Sequence, residues 1–190
     1  MTEGEYDLQV LERALGGCRE LQDLANRYGF KDIFQDNGEK VLQSLILLGL
    51  RAKGGREGND AVDAEGNEYE LKTVNVSLGM SRGVTTHHHL NLGILEKYRT
   101  VSAWYISLYQ HIDLNEIYRL TPQELEPVFI VWEQRLFANG NAPLNNPKIP
   151  IAFVRQHGTR VWPLDDAALA ELMPPSSPIR NGNGNHSSIG

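Results

Sequence analysis

The chain is nearly devoid of cysteine. One thiol, Cys18, in 190 residues excludes an intrachain disulfide framework and any multi-thiolate metal site, and a lone Cys reads as a buried or inert thiol. Long apolar runs are absent too: no stretch approaches the roughly 18 apolar residues of a membrane span. The opening Met1-Thr-Glu-Gly-Glu5 has neither the basic nor the apolar region of a secretory signal. These absences predict a soluble, cytoplasmic protein. No internal repeat is visible.

An excess of positive charge is also missing. The net charge of −6 argues against a protein that coats nucleic acid indiscriminately, but a specific binder depends on where its charges lie. Residues 1–70 carry 8 basic and 15 acidic side chains, whereas residues 71–162 carry 9 and 6. The middle of the chain is therefore the expected face for phosphates.

What is present suits one domain of mixed class. A hydrophobic content of 41% is enough to build a core at this length. Leu8, Leu11, Leu15, Leu21 and Leu24 recur at helical spacing, with Gly16-Gly17 predicting a break between two helices. Asp36 and Glu39 have the residue types of an N-cap pair for an apolar helix through Val41, Leu42, Leu45, Ile46 and Leu48, ending near Gly49. Past Arg51, Gly54-Gly-Arg-Glu-Gly-Asn59 is loop chemistry. Asp60–Asp63 and Glu68–Val76 then read as a β-hairpin joined through Ala64–Asn67. Val101–Tyr109, Glu116–Leu120 and Ile149–Val154 predict further strands, and Glu124–Leu136 a helix. The class is α+β, one mixed sheet flanked by helices. Beyond Trp162 the composition thins to a short helical stretch, Asp165–Met173, and a Pro-, Ser-, Gly- and Asn-rich tail whose end is expected to be disordered.

The hairpin holds the densest chemistry. Glu70 and Lys72 are two apart in a strand and so share a face, and Asp60 starts the partner strand where a short turn returns it beside them. Two carboxylates and an ammonium suit phosphodiester hydrolysis. Hard oxygens can hold Mg²⁺ while leaving room for water and phosphate. Lys72 can orient the attacking water and stabilise negative charge on the phosphorane-like transition state. Glu57 is near enough in sequence to add a carboxylate. Glu-x-Lys by itself is equally an ordinary charged strand.

Three other groups stand out. His87-His-His89 lies mid-chain after Thr85-Thr86; with no acidic or thiolate neighbour it is a poor metal site, so core or surface histidines and readers of base edges both remain open. Asn145-Asn146 are turn residues by type, although an exposed Asn can also bind adenine N6 and N7 together. Asp36 reads as a helix cap, or as a carboxylate able to accept from the guanine N2 amine in the minor groove.

The segments Asp32-Ile-Phe-Gln-Asp-Asn-Gly38, Gly55–Asp63, Glu68–Lys72, Thr86–His89, Lys97-Tyr-Arg99, Glu116–Leu120, Asn145–Pro150 and His157-Gly-Thr159 together resemble the PvuII restriction endonuclease family, in the same order and at nearly the same spacing, over about residues 5–162. The resemblance implies the PD-(D/E)xK nuclease fold, with Asn59-Asp60 in place of the usual Pro-Asp, over residues 1–162. Residues 1–36 would be a helical dimerisation region and residues 163–190 an extension past the family pattern. It implies that Asp60, Glu70 and Lys72 are catalytic, the two acids as ligands of Mg²⁺, with Glu57 and Tyr98 lining that site. It implies that His88, His89, Asn145 and Asn146 read the major groove, that His87 orients them, and that Asp36 serves the minor groove. Thr85 replaces a serine that stands beside the histidines in the family, keeping the hydroxyl and adding a methyl. The implied activity is that of a type II restriction endonuclease cutting the palindrome CAGCTG at its centre to blunt ends. The implied partners are a second copy of the chain and a cognate DNA methyltransferase. A related nuclease with another site, or a DNA-binding protein that has kept the fold without the chemistry, are the alternatives. Retention of Asp60, Glu70 and Lys72 argues against the last, because a pure binder has no use for carboxylates against phosphates.

Overall fold

The computed structural model describes residues 3–53, 60–78 and 83–163. In chain order these form α1 (Glu3–Arg27), α2 (Gly38–Leu48), β1 (Arg51–Ala52), β2 (Ala61–Val62), β3 (Glu68–Asn75), β4 (Gly83–Thr85), β5 (His89–Leu90), α3 (Leu92–Thr100), β6 (Ala103–Gln110), β7 (Asp113–Leu120), α4 (Pro122–Ala138), β8 (Leu144–Asn145), β9 (Lys148–Pro150), α5 (Ile151–His157) and β10 (Thr159–Trp162).

A six-stranded sheet, ordered β1-β2-β3-β6-β7-β10, is the frame. β3 and β6 run parallel, while the other neighbours are antiparallel. That one parallel pair needs a crossover, and α3 lies in it. Alternation along β6 sorts the two faces. Trp104, Ile106 and Leu108 join Leu95 and Tyr98 of α3, Phe129 and Trp132 of α4 and Val154 of α5 in the main core. On the opposite face Leu71 packs with Leu45 of α2, Leu50 and Ala61, with Tyr105 beside them. Each fully buried Leu, Ile or aromatic side chain contributes on the order of 1.5–3 kcal/mol, so α2, α3 and α4 are fixed to the sheet by the residues that flank the hairpin.

The hairpin turn closes through Asp63. Its carboxylate accepts from the backbone N–H of Glu65 and Asn67 at 3.0 and 2.8 Å and from the Tyr69 hydroxyl at 2.8 Å, an Asx turn of the kind that Asp favours. α4 begins with a capping box between Thr121 and Glu124 and has Pro122 in its first turn, both start signals that a sequence displays.

Several expectations are corrected. Gly16-Gly17 do not divide the N-terminal segment, because α1 runs unbroken across them. Two mid-helix glycines cost about 1 kcal/mol each against alanine, which the good helix formers around them offset. Asp36 is not a helix cap. The N-cap of α2 is Asn37, in a left-handed conformation and without a side-chain cap bond, and Asp36 itself has a positive φ of 50°. The tight entry follows from Gly38, where a Cβ would lie 2.5 Å from the Ile33 carbonyl oxygen. The strand expected over Ile149–Val154 breaks after Pro150, where α5 begins. The strand expected from Asp60 to Asp63 spans only Ala61–Val62. Glu57, the helical stretch over Asp165–Met173 and the tail lie outside the described residues.

Candidate active site

β2 pairs with β3 only at Glu68 and Tyr69, so among the described residues the outer edge of β3 lacks a strand partner in the main sheet from Glu70 onward. Asp60, just before β2, takes over there: its Oδ2 accepts from the Leu71 backbone N–H at 3.0 Å and from Lys72 Nζ at 3.3 Å. Lys72 Nζ also lies 2.6 Å from Glu70 Oε1. The three groups foreseen to converge do so, and the register explains how. Glu70 and Lys72 pair with Trp104 and Ile106 of β6, which places them on the face that α3 and α4 cover.

Burial then separates the two carboxylates. Glu70 is 5% exposed, whereas the Asp60 side chain is 40% exposed. Loss of water pushes the Glu70 carboxyl up, to about 7; the Lys72 ammonium opposes this and the Asp60 charge adds to it. Burial works against the charge of Lys72, but Asp60 and Glu70 outweigh it and hold the ammonium above its usual range. Tyr98 is buried beside them, and its phenol is raised above its usual range first by that burial. Its hydroxyl donates to the Thr86 carbonyl at 3.2 Å, and its ring meets Trp104 edge-on at 4.6 Å. Tyr98 thus ties the floor of the site to the histidine segment.

That segment is fastened to the paired asparagines. β4 pairs with β9 and β5 with β8, which sets His89 opposite Asn145. Thr86 donates from its N–H and its hydroxyl to the Pro147 carbonyl at 3.2 and 3.1 Å, and the Asn146 N–H donates to the His88 carbonyl at 3.3 Å. The close approach of β4 to β9 requires Gly83, where a Cβ would sit 2.9 Å from the Ile149 carbonyl oxygen. His87 Nδ1 accepts from the His89 N–H at 3.0 Å, which fixes the neutral tautomer carrying its proton on Nε2. Burial, then the Lys72 charge and the adjacent histidines, hold His87 below its usual range. Asn146 Nδ2 donates to Asn145 Oδ1 at 3.0 Å, and Asn146 Oδ1 is buried without a hydrogen-bond partner among the described residues. Thr85, His87, His88, His89 and Asn145 are exposed and Asn146 is half-buried.

Asp36, relieved of capping, lines a cleft of about 340 Å³ together with Asp60, Lys72 and Thr73. It therefore shares a cleft with Asp60 and Lys72, two of the three members of the hairpin cluster. Glu57 lies outside the described residues. Sequence reasoning missed Thr86, which anchors the histidines to Pro147; a Thr repeated beside an exposed Thr85 gives no sign of which one is buried.

The donor chemistry suits a hard divalent cation. Asp60 and Glu70 each bring a carboxylate oxygen to the Lys72 ammonium, at 3.3 and 2.6 Å, and among the described residues no group of three or more His, Cys, Asp or Glu that could hold a metal ion gathers. Side-chain donors there leave coordination positions for water and phosphate oxygen.

A mixed sheet with an acid and an acid-x-lysine pair at an open strand edge, next to a welded histidine and asparagine platform, is the arrangement of a restriction-type nuclease. The family model for restriction endonuclease PvuII matches residues 6–162, and the chain belongs to that family. It is a type II restriction endonuclease, a site-specific deoxyribonuclease whose ligand is DNA, and restriction endonucleases of this family generally use divalent metal ions. Among the described residues no helix is long and apolar enough to cross a membrane.

Proposed function

We propose that the chain cuts the palindrome CAGCTG at its centre, leaving blunt ends, in a reaction that requires Mg²⁺. The observation that carries the reading is the convergence of Asp60, Glu70 and Lys72 at the open edge of β3, within reach of the histidine and asparagine platform. Asp60 and Glu70 would hold the ion, which supplies charge neutralisation at the phosphate and polarisation of the attacking water. Lys72 orients that water and offsets the negative charge that grows on the phosphate oxygens as the P–O bond breaks. Tyr98 acts on position rather than chemistry, since its hydroxyl is committed to the Thr86 carbonyl.

His88, His89, Asn145 and Asn146 serve as major-groove readers and Asp36 as a minor-groove acceptor, with His87 holding the backbone of His89. An Asn reads adenine with both its oxygen and its amide. The Asn146 amide therefore turns outward on binding, and its buried Oδ1 gains the donor it lacks. Thr85 stands at the start of the same platform, where its methyl group can adjust contacts to the bases.

The catalytic unit is a two-fold homodimer, which matches each half-site to one subunit. Support comes from α1: Tyr6, Leu8, Leu11 and Leu15 are exposed large hydrophobics on its free N-terminal half, and Leu8, Leu11 and Leu15 fall on one helical face. The C-terminal half instead docks through Ala25, with Leu21 and Leu24, against Ile33 and Leu42. Because the enzyme would cut an unmodified genome, a methyltransferase that protects the same site accompanies it in the cell, and both act in the cytoplasm. Residues 163–190 fall past the family match and carry 1 basic and 3 acidic side chains, a balance that suits a segment kept off the DNA or one that competes with it for the cleft.

Digestion of a plasmid carrying CAGCTG with the purified protein and Mg²⁺ tests the reading. Discrete fragments whose sequenced ends are blunt at the centre of that site are expected, with none in EDTA. Fragments ending elsewhere would reassign the site, and no fragments at all would reject the proposal.

A further inference from the structure

A second cleft, of about 220 Å³, opens beside the first on the α2 side of β3, and Thr73 lines both. Among the described residues its walls carry two cations, Lys40 and Lys148, and no carboxylate. The remaining polar groups on it, Asn37, Thr73, Asn75 and Thr85, offer amides and hydroxyls.

Lys40 is unusual on its own helix. It is 9% exposed, although withdrawing an ammonium from water is costly unless a partner replaces the water. The partners it has are weak ones. Nζ donates to Asn37 Oδ1 at 3.4 Å, stands 4.0 Å from Glu39 Oε1, and lies 5.5 Å from the centre of the Tyr109 ring. Its helix is held by Ser44, whose hydroxyl donates to the Lys40 carbonyl at 2.9 Å, and by Tyr109, whose hydroxyl donates to the same oxygen at 3.0 Å. Lys148 faces it from β9, opposite Thr85 of β4. Among the described residues its ammonium has no carboxylate partner.

We infer that Lys40 and Lys148 clamp a backbone phosphate of the bound DNA near the one that is cut. This rests on the reading of Asp60, Glu70 and Lys72 as the place of cleavage. A strand advances about 3.3 Å per residue, so Lys72 and Asn75 lie about 10 Å apart along β3. One DNA strand rises about 3.4 Å per nucleotide, which puts the second cleft a few nucleotides from the scissile phosphate. A cleft whose described lining holds two ammonium groups, several neutral donors and no acid, with Glu39 no nearer than 4.0 Å to Lys40, favours an oxyanion, and phosphates are where most polar contacts to DNA are made. Lys40 is preordered by its burial, so little side-chain freedom is lost on binding. The clamp sets register along the duplex and reads no base.

Equilibrium binding of a CAGCTG duplex in metal-free buffer, over a range of salt concentrations, tests this. Each neutralised phosphate contributes about 0.9 to the slope of log K against log salt. Lys148→Gln is expected to lower the slope by about 1, with the preference for CAGCTG over a scrambled duplex unchanged, and Lys148→Arg to restore it. Lys40→Gln should do the same without adding to the Lys148→Gln effect, and Lys148→Gln alone decides the matter if the Lys40 variant misfolds. In duplexes carrying one methylphosphonate, a single flanking position should weaken the wild type and leave Lys148→Gln indifferent. Variants that keep the wild-type slope overturn the inference alone. A wild-type protein that binds no duplex overturns it together with the reading on which it rests.

Discussion

The Lys72 ammonium stands 2.6 Å from Glu70 Oε1 and 3.3 Å from Asp60 Oδ2, so a single cation balances a buried acid and an exposed one. Removing it has two separable effects. Lys72→Ala is expected to lower cleavage on the order of 10³-fold, the scale on which loss of a transition-state donor is felt, while specific DNA binding changes little. It also leaves Glu70 buried beside Asp60 without a counter-ion, which is more costly than losing both partners. Thermal denaturation should therefore show Lys72→Ala melting below the double variant Lys72→Ala with Glu70→Gln. Equal melting temperatures would mean that the pair is not energetically coupled.

Tyr98 separates positioning from chemistry. Its hydroxyl donates to the Thr86 carbonyl at 3.2 Å, and Thr86 in turn donates to Pro147. Tyr98→Phe keeps the ring on Trp104 and leaves the buried Thr86 carbonyl short of a donor, a loss of about 1–2 kcal/mol. The expected result is a modestly less stable enzyme that discriminates less well between its site and single-base variants. Cleavage of the correct site at saturating enzyme should fall less than tenfold. A larger fall with discrimination intact would place the hydroxyl in the chemistry itself.

His87 gives the platform a pH dependence of definite sign. Its folded-state value lies below the usual 6.5 because it is partly desolvated and faces Lys72, His88 and His89. The neutral ring is therefore the one that the fold favours, and Nδ1 must be unprotonated to accept from the His89 N–H. Between the two values the disordered loop binds more protons than the ordered one, so order rises with pH. The contribution is complete above about 6.5 and is lost as pH falls through the depressed folded value. An NMR titration should give His87 a midpoint below those of exposed histidines, and site discrimination should decline over the same acidic range. A midpoint at or above 6.5 contradicts the assignment.

How much of this the sequence discloses differs from residue to residue. The hairpin was legible because its information is local: period-two spacing sets Glu70 and Lys72 on one face, and the Gly-containing Ala64–Asn67 marks the turn that returns Asp60 to them. The body of α4 was legible over Glu124–Leu136, while its start at Pro122, set by the Thr121–Glu124 capping box, was not anticipated. Gly16-Gly17 misled because local propensity was outweighed by the helix formers on both sides. Asp36 misled because cap chemistry cannot register that Gly38 must press against the Ile33 carbonyl, which moves the cap to Asn37. The meeting of His89 with Asn145 was not legible from spacing at all, since 55 intervening positions separate them in the chain and tertiary pairing alone decides it. The family resemblance implied a shared role for these residues but not that they pair. Thr86 and Lys40 were missed because their importance lies in burial, and a single polar letter carries no mark of that.

The proposed dimer rests on α1, and α1 can be tested without touching the cleavage site. Leu8, Leu11 and Leu15 lie on the half of the helix that extends away from the domain, while Leu21, Leu24 and Ala25 secure the other half. A charge at Leu11 therefore leaves the fold of one subunit intact and places a carboxylate in the centre of the apolar stripe. Leu11→Asp is expected to sediment as a monomer where the wild type sediments as a dimer, with a melting temperature that no longer depends on protein concentration. The isolated subunit meets one half-site only, so double-strand cleavage should fall at least 100-fold, and weak binding to a single half-site should survive. If Leu11→Asp remains dimeric and active, the subunits join through another face, and the exposed stripe on α1 serves some other contact.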